Sequence, residues 1–186
     1  MQKQHRMTDH GLAHDLLDYR LRWPDEAAMV DLFRELLDEG RASFERARLA
    51  GHFTASAWLV ARDGRSVLLT HHRKLGLWLQ LGGHADGDDN LMRAALKEAQ
   101  EESGLSALTI EAGIFDLDRH WIPQHNTVQA HWHYDVRYVV RAGADERYVV
   151  SDESHDRAWR DIAALADDDT ADASLRRMAQ KWLRRN

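Results

Sequence analysis

The sequence predicts a mixed α/β (α+β) sandwich preceded by an additional helical segment. Apolar residues recur at helical spacing near both ends of the chain and in its middle, and β-prone runs separate these segments. Helices before, within and after a set of strands are typical of a sheet packed against helices. We therefore expect residues 1–50 to form a helical extension packed on a domain of residues 51–186, which includes the C-terminal helix.

The helical extension is predicted from a start signal and an apolar stripe. Trp23-Pro24-Asp25-Glu26 combines proline with acidic residues, which are favoured in a first helical turn. The apolar positions that follow share one helical face: Met29, Leu32, Phe33, Leu36 and Leu37. The pattern continues past a predicted break at Gly40 towards Gly51. We expect its apolar face to cover the core or to contact a second copy in a homodimer, and to carry no chemistry.

The rest of the chain alternates between strand and helix patterns. Strands are predicted over Phe53–Ala61, Ser66–His71, Leu75–Leu81, Leu108–Asp118, Val128–Val140 and Arg147–Val150. A helix is predicted over Asn90–Glu102, and a helical turn over Arg157–Leu165. The last helix has an apolar face made of Leu175, Met178, Ala179, Trp182 and Leu183.

Composition excludes several classes of function. The 186 residues carry a formal net charge of −6 and no cysteine. A nucleic-acid polymer is not an expected partner, because proteins that bind one present a basic face. The lack of cysteine excludes disulfides, thiolate metal sites and cysteine nucleophiles, and it suits a reducing cytoplasm. No signal peptide is visible and no apolar run reaches the ~18 residues of a membrane span, so we expect a cytoplasmic protein with no membrane partner.

The segment from Gly82 to Leu105 joins a loop rich in glycine and aspartate to an acidic helix. Asp88 or Asp89 is predicted to cap the helix at its N-terminus. Gly104 is predicted to end it in a left-handed conformation, which glycine adopts without a Cβ penalty. The loop is too polar for an apolar core, so we expect it at the surface.

Three carboxylates crowd one face of this helix. Glu98, Glu101 and Glu102 fall within an arc of about 100°, where like charges cost roughly 0.2–0.5 kcal/mol per pair. A solvated acidic face is the ordinary explanation of such a helix. A divalent cation such as Mg²⁺ would instead turn the repulsion into binding, because it prefers carboxylate oxygens and bridging phosphates.

The spacing of this segment resembles the Nudix box, Gly-x5-Glu-x7-Arg-Glu-U-x-Glu-Glu-x-Gly-U, in which U is apolar. The pattern runs from Gly83 to Leu105, with Asp89 in place of the first Glu and Lys97 in place of Arg. Both departures keep the sign of the charge, although Lys lacks the planar fork of Arg. The resemblance extends over about residues 53–165 and leaves the first fifty residues outside.

Resemblance to the Nudix superfamily implies an α/β/α sandwich with a mixed sheet. It also implies a metal-dependent hydrolase that cleaves a diphosphate linkage in a nucleoside diphosphate derivative or a similar small phosphorylated metabolite. The residues that it places in the site are the metal-binding and catalytic Glu98, Glu101 and Glu102, the substrate-binding Gly83, and the structural Asp89, Lys97 and Gly104. Mg²⁺ or Mn²⁺ would bind chiefly to Glu98 and Glu102. The general base would be one of these two or the later Glu153, which resembles an acidic position of the family.

Histidines cluster on one predicted strand. His131, His133 and Asp135 alternate with large apolar residues, so a period of two places them on one face. The ordinary interpretation is a half-exposed strand whose wet face carries histidine. The alternative is a pocket wall that binds a substrate phosphate or, with His84 beside the box, a second metal. Imidazole ligands would favour Mn²⁺ or Zn²⁺ over Mg²⁺.

Other assignments stay open. Arg73 is a candidate contact to substrate phosphates, although an exposed surface pair with Lys74 is the commoner explanation. A Nudix-fold sensor would bind a nucleotide sugar without hydrolysis, but such proteins typically lose the box carboxylates that this chain keeps. Gly82-Gly83-His84 is similar to the Cys-Gly-His segment of isopentenyl diphosphate isomerases, but the chain lacks the catalytic cysteine.

Overall fold

Two helices precede the first strand in the computed structural model, which describes residues 11–73, 76–125, 127–150 and 154–185. α1 spans Leu12–Arg22 and α2 spans Ala27–Asp38. A 3-10 turn at Pro24–Glu26 joins them, so the predicted start signal opens this turn just before α2. Gly40 has φ 79°, a conformation that favours glycine, and a second 3-10 turn follows at Arg41–Phe44. The predicted break at Gly40 is confirmed.

The central sheet is mixed. Its strands in chain order are β1 Gly51–Val60, β2 Ser66–His72, β3 Trp78–Leu79, β4 Leu81–His84, β5 Thr109–Ile110, β6 Asp116–Ile122, β7 His131–Arg141 and β8 Ser154–Asp161. β1 pairs in parallel with β7 along its whole length, and the other pairings between described strands are antiparallel. On the other edge of β1 lie β2 and β4, while β5 and β6 pair with β7. β1 and β7 therefore form the centre of the sheet.

Helices cover both faces of this sheet. The remaining helices are α3 Leu91–Ser103, α4 Ile162–Asp167 and α5 Ala173–Arg184. One face packs on α1, α2 and α3 through a core that includes Phe33, Phe53 and Val136. The opposite face packs on α4 and α5 through a core that includes Trp58, Val139 and Met178. The chain thus forms the predicted α/β/α sandwich with a helical segment before it. None of its described helices is both long and apolar enough to cross a lipid bilayer.

The prediction of one continuous strand over Leu108–Asp118 is wrong. The segment divides into β5 and the start of β6, which pair with different parts of β7. Gly113 lies between them with φ 84°, a conformation that a continuous strand does not contain. The apolar residues Ile114 and Phe115 are buried in this connection, which explains why the sequence reads as one uninterrupted strand.

The predicted strand Leu75–Leu81 is also divided, and its first residue lies outside the described part of the chain. β3, at Trp78–Leu79, pairs with β2, whereas Leu81 begins β4, which pairs with β1. The chain therefore passes from one partner strand to another within this short run.

The predicted strand Arg147–Val150 is irregular. The backbone N–H of Val149 donates to the Ser103 carbonyl oxygen at 2.9 Å, so this run packs over the end of α3 instead of pairing with a strand. The last strand is β8, which lies along β2. The helical turn that was predicted over Arg157–Leu165 therefore begins only at Ile162, after Asp161 has capped it.

The apolar face of α2 covers β1 and β7. Phe33 is fully buried, and its ring lies 5.3 Å from the Tyr134 ring and 6.1 Å from the Phe53 ring. Val30 and Leu36 are buried in the same cluster. α2 therefore packs on the core of the same chain.

Phe33→Ala is expected to lower the free energy of unfolding by about 3–5 kcal/mol, because it removes a fully buried aromatic ring and leaves a cavity. Leu21→Ala is the control: Leu21 is 81% exposed on α1, and its loss is expected to change stability by no more than about 0.5 kcal/mol. Urea unfolding followed by circular dichroism measures both. Equal losses in the two variants would show that α2 does not contribute to the core.

Candidate active site

An open cavity of about 770 Å³ lies over the polar residues of β1 and β7. α3, β4 and β6 form its other walls. The predicted site residues that line it are Gly83, His84, Glu98, Glu101, Glu102, His133 and Asp135. The structure thus brings the box segment and the histidine-bearing strand, which are distant in sequence, into one site.

Two glycines of β4 allow the carboxylates of α3 to approach the sheet. A Cβ at Gly82 would lie 2.2 Å from the Ser56 hydroxyl oxygen, and one at Gly83 would lie 2.7 Å from the carboxyl carbon of Glu98. The Gly82 N–H donates to the Glu102 carboxylate at 3.1 Å. The absence of a Cβ at Gly83 therefore leaves space for the Glu98 carboxylate against β4, and at Gly82 it lets β4 lie close to Ser56 of β1.

The ends of α3 differ in part from their prediction. Asn90 caps the N-terminus, because its side-chain oxygen accepts from the Arg93 N–H at 2.9 Å. Asp88 does not cap the helix and instead accepts from the Asn90 N–H at 2.9 Å and from the Arg93 side chain. Gly104 ends α3 with φ 73° as predicted, and a Cβ there would lie 2.5 Å from Val149.

The box loop is held by arginines. Asp89 and Lys97 are both exposed, and the nearest ion pair of Lys97 among the described residues is with Glu101 at 3.7 Å. Arg46 donates to both carboxylate oxygens of Asp86 in the loop, through Nε and one Nη atom of its guanidinium group, and these hydrogen bonds lower the pKa of the Asp86 carboxyl. Arg46 also lines the cavity, although it belongs to the segment that we expected to carry no chemistry.

Two further predicted site residues are Arg73 and Glu153. Arg73 is exposed in the turn after β2, and the arginine that lines the cavity within the described residues is Arg46 instead. Glu153 lies outside the described residues.

Histidines from four strands meet beside the cavity. The parallel register places His52 of β1 next to His133, and the β6 register places His120 on the other side of His133. The Nε2 atoms of His131 and His133 are 3.1 Å apart, and the His84 ring lies 5.1 Å from the His133 ring. The interpretation of β7 as a half-exposed strand is wrong, because its polar face is directed into the protein.

Burial keeps several of these imidazoles neutral. Loss of solvent lowers the pKa of His52 to about 4 and that of His133 to about 2. The pKa of His84 shifts in the same direction for the same reason. A neutral imidazole can accept a hydrogen bond or bind a metal through its free nitrogen.

Sequence reasoning missed His52. It begins a polar series on β1, with Thr54 and Ser56 at the next alternate positions, between buried apolar residues. This period of two was a signal for a polar inner face. The strand ends in three successive apolar residues, Trp58, Leu59 and Val60, and such a run obscures the alternation because it is typical of a strand buried on both faces.

Asp135 lies at the floor of the cavity with its oxygens fully engaged. They accept from the hydroxyl groups of Thr54 and Ser56 at 3.0 and 2.8 Å and from the Gln80 side chain at 3.2 Å. Arg137 completes the set with a 2.7 Å ion pair. This carboxylate is therefore an organising group of the floor.

A buried ionic network continues from Arg137 to the chain ends. Arg137, Arg177 and Lys181 all contact Asp116, at 3.2, 2.8 and 2.7 Å. Lys181 also lies 2.6 Å from Glu26 at the start of α2. The polar floor of the cavity is thus connected to both the first and the last helices.

A model of the NUDIX domain matches residues 51–182. The chain belongs to the Nudix family. The match begins where β1 begins, so α1 and α2 lie before it. The enzymes of this family act on phosphoric anhydride bonds, and this chain is accordingly a Nudix hydrolase. No curated protein matches the chain.

Solved structures of Nudix proteins share this fold. A NUDIX-family hydrolase from Clostridium perfringens is 22% identical, with a TM-score of 0.52 over 73% of this chain and 98% of that one. The MutT Nudix hydrolase from Burkholderia pseudomallei is 23% identical, with a TM-score of 0.54 over 70% and 97%. The dihydroneopterin triphosphate pyrophosphohydrolase of E. coli is 18% identical, with a TM-score of 0.54 over 72% and 96%. At these identities the likeness concerns the fold alone.

Asp116→Asn is expected to lower the free energy of unfolding by about 3–5 kcal/mol, because it removes the anion shared by two buried cations, Arg137 and Lys181, and the partly exposed Arg177. Glu111→Gln is the control, since Glu111 forms partly exposed ion pairs with Arg141 and Arg185 and should cost no more than about 1 kcal/mol. Differential scanning calorimetry compares the variants. If Asp116→Asn is no less stable than Glu111→Gln, the network does not hold the two chain ends to the sheet.

Proposed function

We propose that this Nudix hydrolase cleaves a diphosphate linkage in a nucleoside diphosphate derivative or a similar small phosphorylated metabolite, with Mg²⁺ or Mn²⁺ bound at the carboxylates of α3. The proposal rests on one observation. The side chains of Glu98 and Glu102 lie beside the glycines of β4, and all of these residues line one open cavity. Family membership supplies the class of bond that is broken.

The carboxylate donors fit a hard divalent cation. Glu98 and Glu102 are one helical turn apart and half-buried, and carboxylate oxygens are ligands that Mg²⁺ prefers. Gly83 has no Cβ that would fill the space against Glu98. When bound, such an ion polarises phosphoryl oxygens and lowers the pKa of the attacking water.

We propose different roles for the three glutamates of α3. Glu101 is more exposed and pairs with Lys97, so we expect it to contribute less to metal binding than Glu98 and Glu102. Glu98 or Glu102 is the general base that accepts the proton of the attacking water, and Glu153 is the other candidate for this role. Whichever carboxylate does not bind the ion directly is the better base.

The remaining walls suit an anionic substrate. Arg46 brings a positive charge to the cavity, and its contact with Asp86 fixes the direction of its side chain. His84 and His133 also line the cavity and offer imidazole nitrogens for hydrogen bonds to phosphate oxygens. These contacts orient the substrate, whereas the carboxylates of α3 provide the chemistry.

Glu98→Gln and Glu102→Gln are each expected to lower kcat by about 10²-fold or more, because an amide neither holds the cation nor accepts a proton. Glu35→Gln is the matched control, since Glu35 is an exposed carboxylate on α2, away from the cavity. Steady-state phosphate release measures activity, and circular dichroism verifies the fold. If both box variants keep rates near those of the wild type, Glu98 and Glu102 do not bind the catalytic metal or act as the general base.

A substrate panel tests the bond that is broken. We expect phosphate or pyrophosphate release that depends on Mg²⁺ or Mn²⁺ and stops with EDTA. The panel contains nucleoside triphosphates, sugar nucleotides, dinucleoside polyphosphates and NAD-like molecules. Tight binding of a compound without release would contradict hydrolysis and favour a sensor. Conversion of isopentenyl diphosphate would instead favour an isomerase.

A further inference from the structure

We propose that His52, His131 and His133 form a binding site for one transition-metal ion of the Zn²⁺ type, separate from the carboxylates of α3. One ring nitrogen from each of the three histidines lies within 4.8 Å of the other two. The closest pair, Nε2 of His131 and Nε2 of His133, is 3.1 Å apart. Two nitrogens bound to one tetrahedral Zn²⁺ at about 2.0–2.1 Å lie roughly 3.3 Å apart, so this spacing fits a shared ion.

Backbone carbonyls orient two of the rings for metal binding. Nδ1 of His131 lies 2.8 Å from the Gln129 carbonyl oxygen, and Nδ1 of His52 lies 3.4 Å from the Arg48 carbonyl oxygen. A carbonyl oxygen only accepts, so both Nδ1 atoms carry the proton of a neutral ring. Both Nε2 atoms are then left with a lone pair. Such a bond from the second ring nitrogen is the usual way in which metal-binding histidines are oriented.

The lone pair of His52 has no hydrogen-bond partner in the described part of the chain. The His52 side chain is 1% exposed, and its Nε2 atom is buried without such a partner. A buried acceptor without a donor is unfavourable, because it loses its hydrogen bond to water on folding. A cation at the centre of the three nitrogens satisfies this atom and replaces the contact between Nε2 of His131 and Nε2 of His133, with His133 giving up the proton that it shares there.

The donor set selects the class of metal. Imidazole nitrogens suit Zn²⁺ and its neighbours in the first transition row, whereas Mg²⁺ takes oxygen ligands. The His84 ring lies 5.2 Å from that of His52, which makes His84 the nearest candidate for a fourth ligand. His133 lines the cavity, so an ion bound there adds positive charge to the wall that faces a phosphorylated substrate.

Metal binding to the untagged, full-length chain tests this site independently of hydrolase activity. The metal-free protein is titrated with Co²⁺ or Zn²⁺ in excess Mg²⁺, and bound metal is measured by equilibrium dialysis with elemental analysis. We expect one tightly bound equivalent per chain and the intense visible absorption that tetrahedral Co²⁺ gives. Absence of stoichiometric binding in the wild type would overturn the proposal.

Substitutions test whether the three histidines bind this metal. His131→Ala and His52→Gln are each expected to weaken affinity at least about tenfold, since even outer-shell changes reach that range. His14→Ala is the matched control, because His14 lies on α1, where its side chain is 51% exposed. Glu98→Gln and Glu102→Gln should keep the bound equivalent. Circular dichroism confirms that each variant is folded. Loss of binding in the glutamate variants, with retention in folded histidine variants, would overturn the proposal.

Discussion

The parallel pairing of β1 with β7 is the constraint on which the rest of the structure depends. It aligns His52 with His133, Thr54 with Asp135 and Ser56 with Arg137, so polar residues of two central strands lie side by side on an inner face. A parallel pair at the centre of a sheet is normally covered on both sides by apolar residues. Here one side is polar over the first part of both strands and apolar only from Trp58 and Val139 onward, and the buried polar groups need partners.

Those partners determine much of the remaining architecture. Thr54, Ser56 and Gln80 donate to Asp135, while Asp116 pairs with Arg137 and with the cations Arg177 and Lys181 of α5. The cavity lies over this polar face, beside β4 and α3. Its floor is therefore built on a buried ionic network that also holds α5 to the sheet.

Structural features that depend on a few neighbouring residues were predicted correctly from the sequence. The helix of Glu98 and Glu102, its end at Gly104 and the break at Gly40 depend on a few neighbouring residues, and all agree with the structure. The interruption at Gly113 was missed because Ile114 and Phe115 continue the apolar run. The irregular course of Val149 was missed because its partner, Ser103, lies on another element.

The histidine cluster shows the limit of such reasoning. His131 and His133 could be read from alternation on one strand, but His52 joins them only through a parallel register between strands far apart in sequence. No short-range signal encodes that register. Arg46 is a similar case, since a turn outside the box supplies it to the box loop.

The Tyr19–Lys181 hydrogen bond joins residues 162 positions apart, near the two ends of the chain. Lys181 follows every strand of the sheet in the chain, so this contact forms only after β1 to β8 have been synthesised. Its two partners, Tyr19 and Glu26, precede every strand. The packing of α1 and α2 on the sheet is therefore completed by a residue that the ribosome adds after the whole sheet.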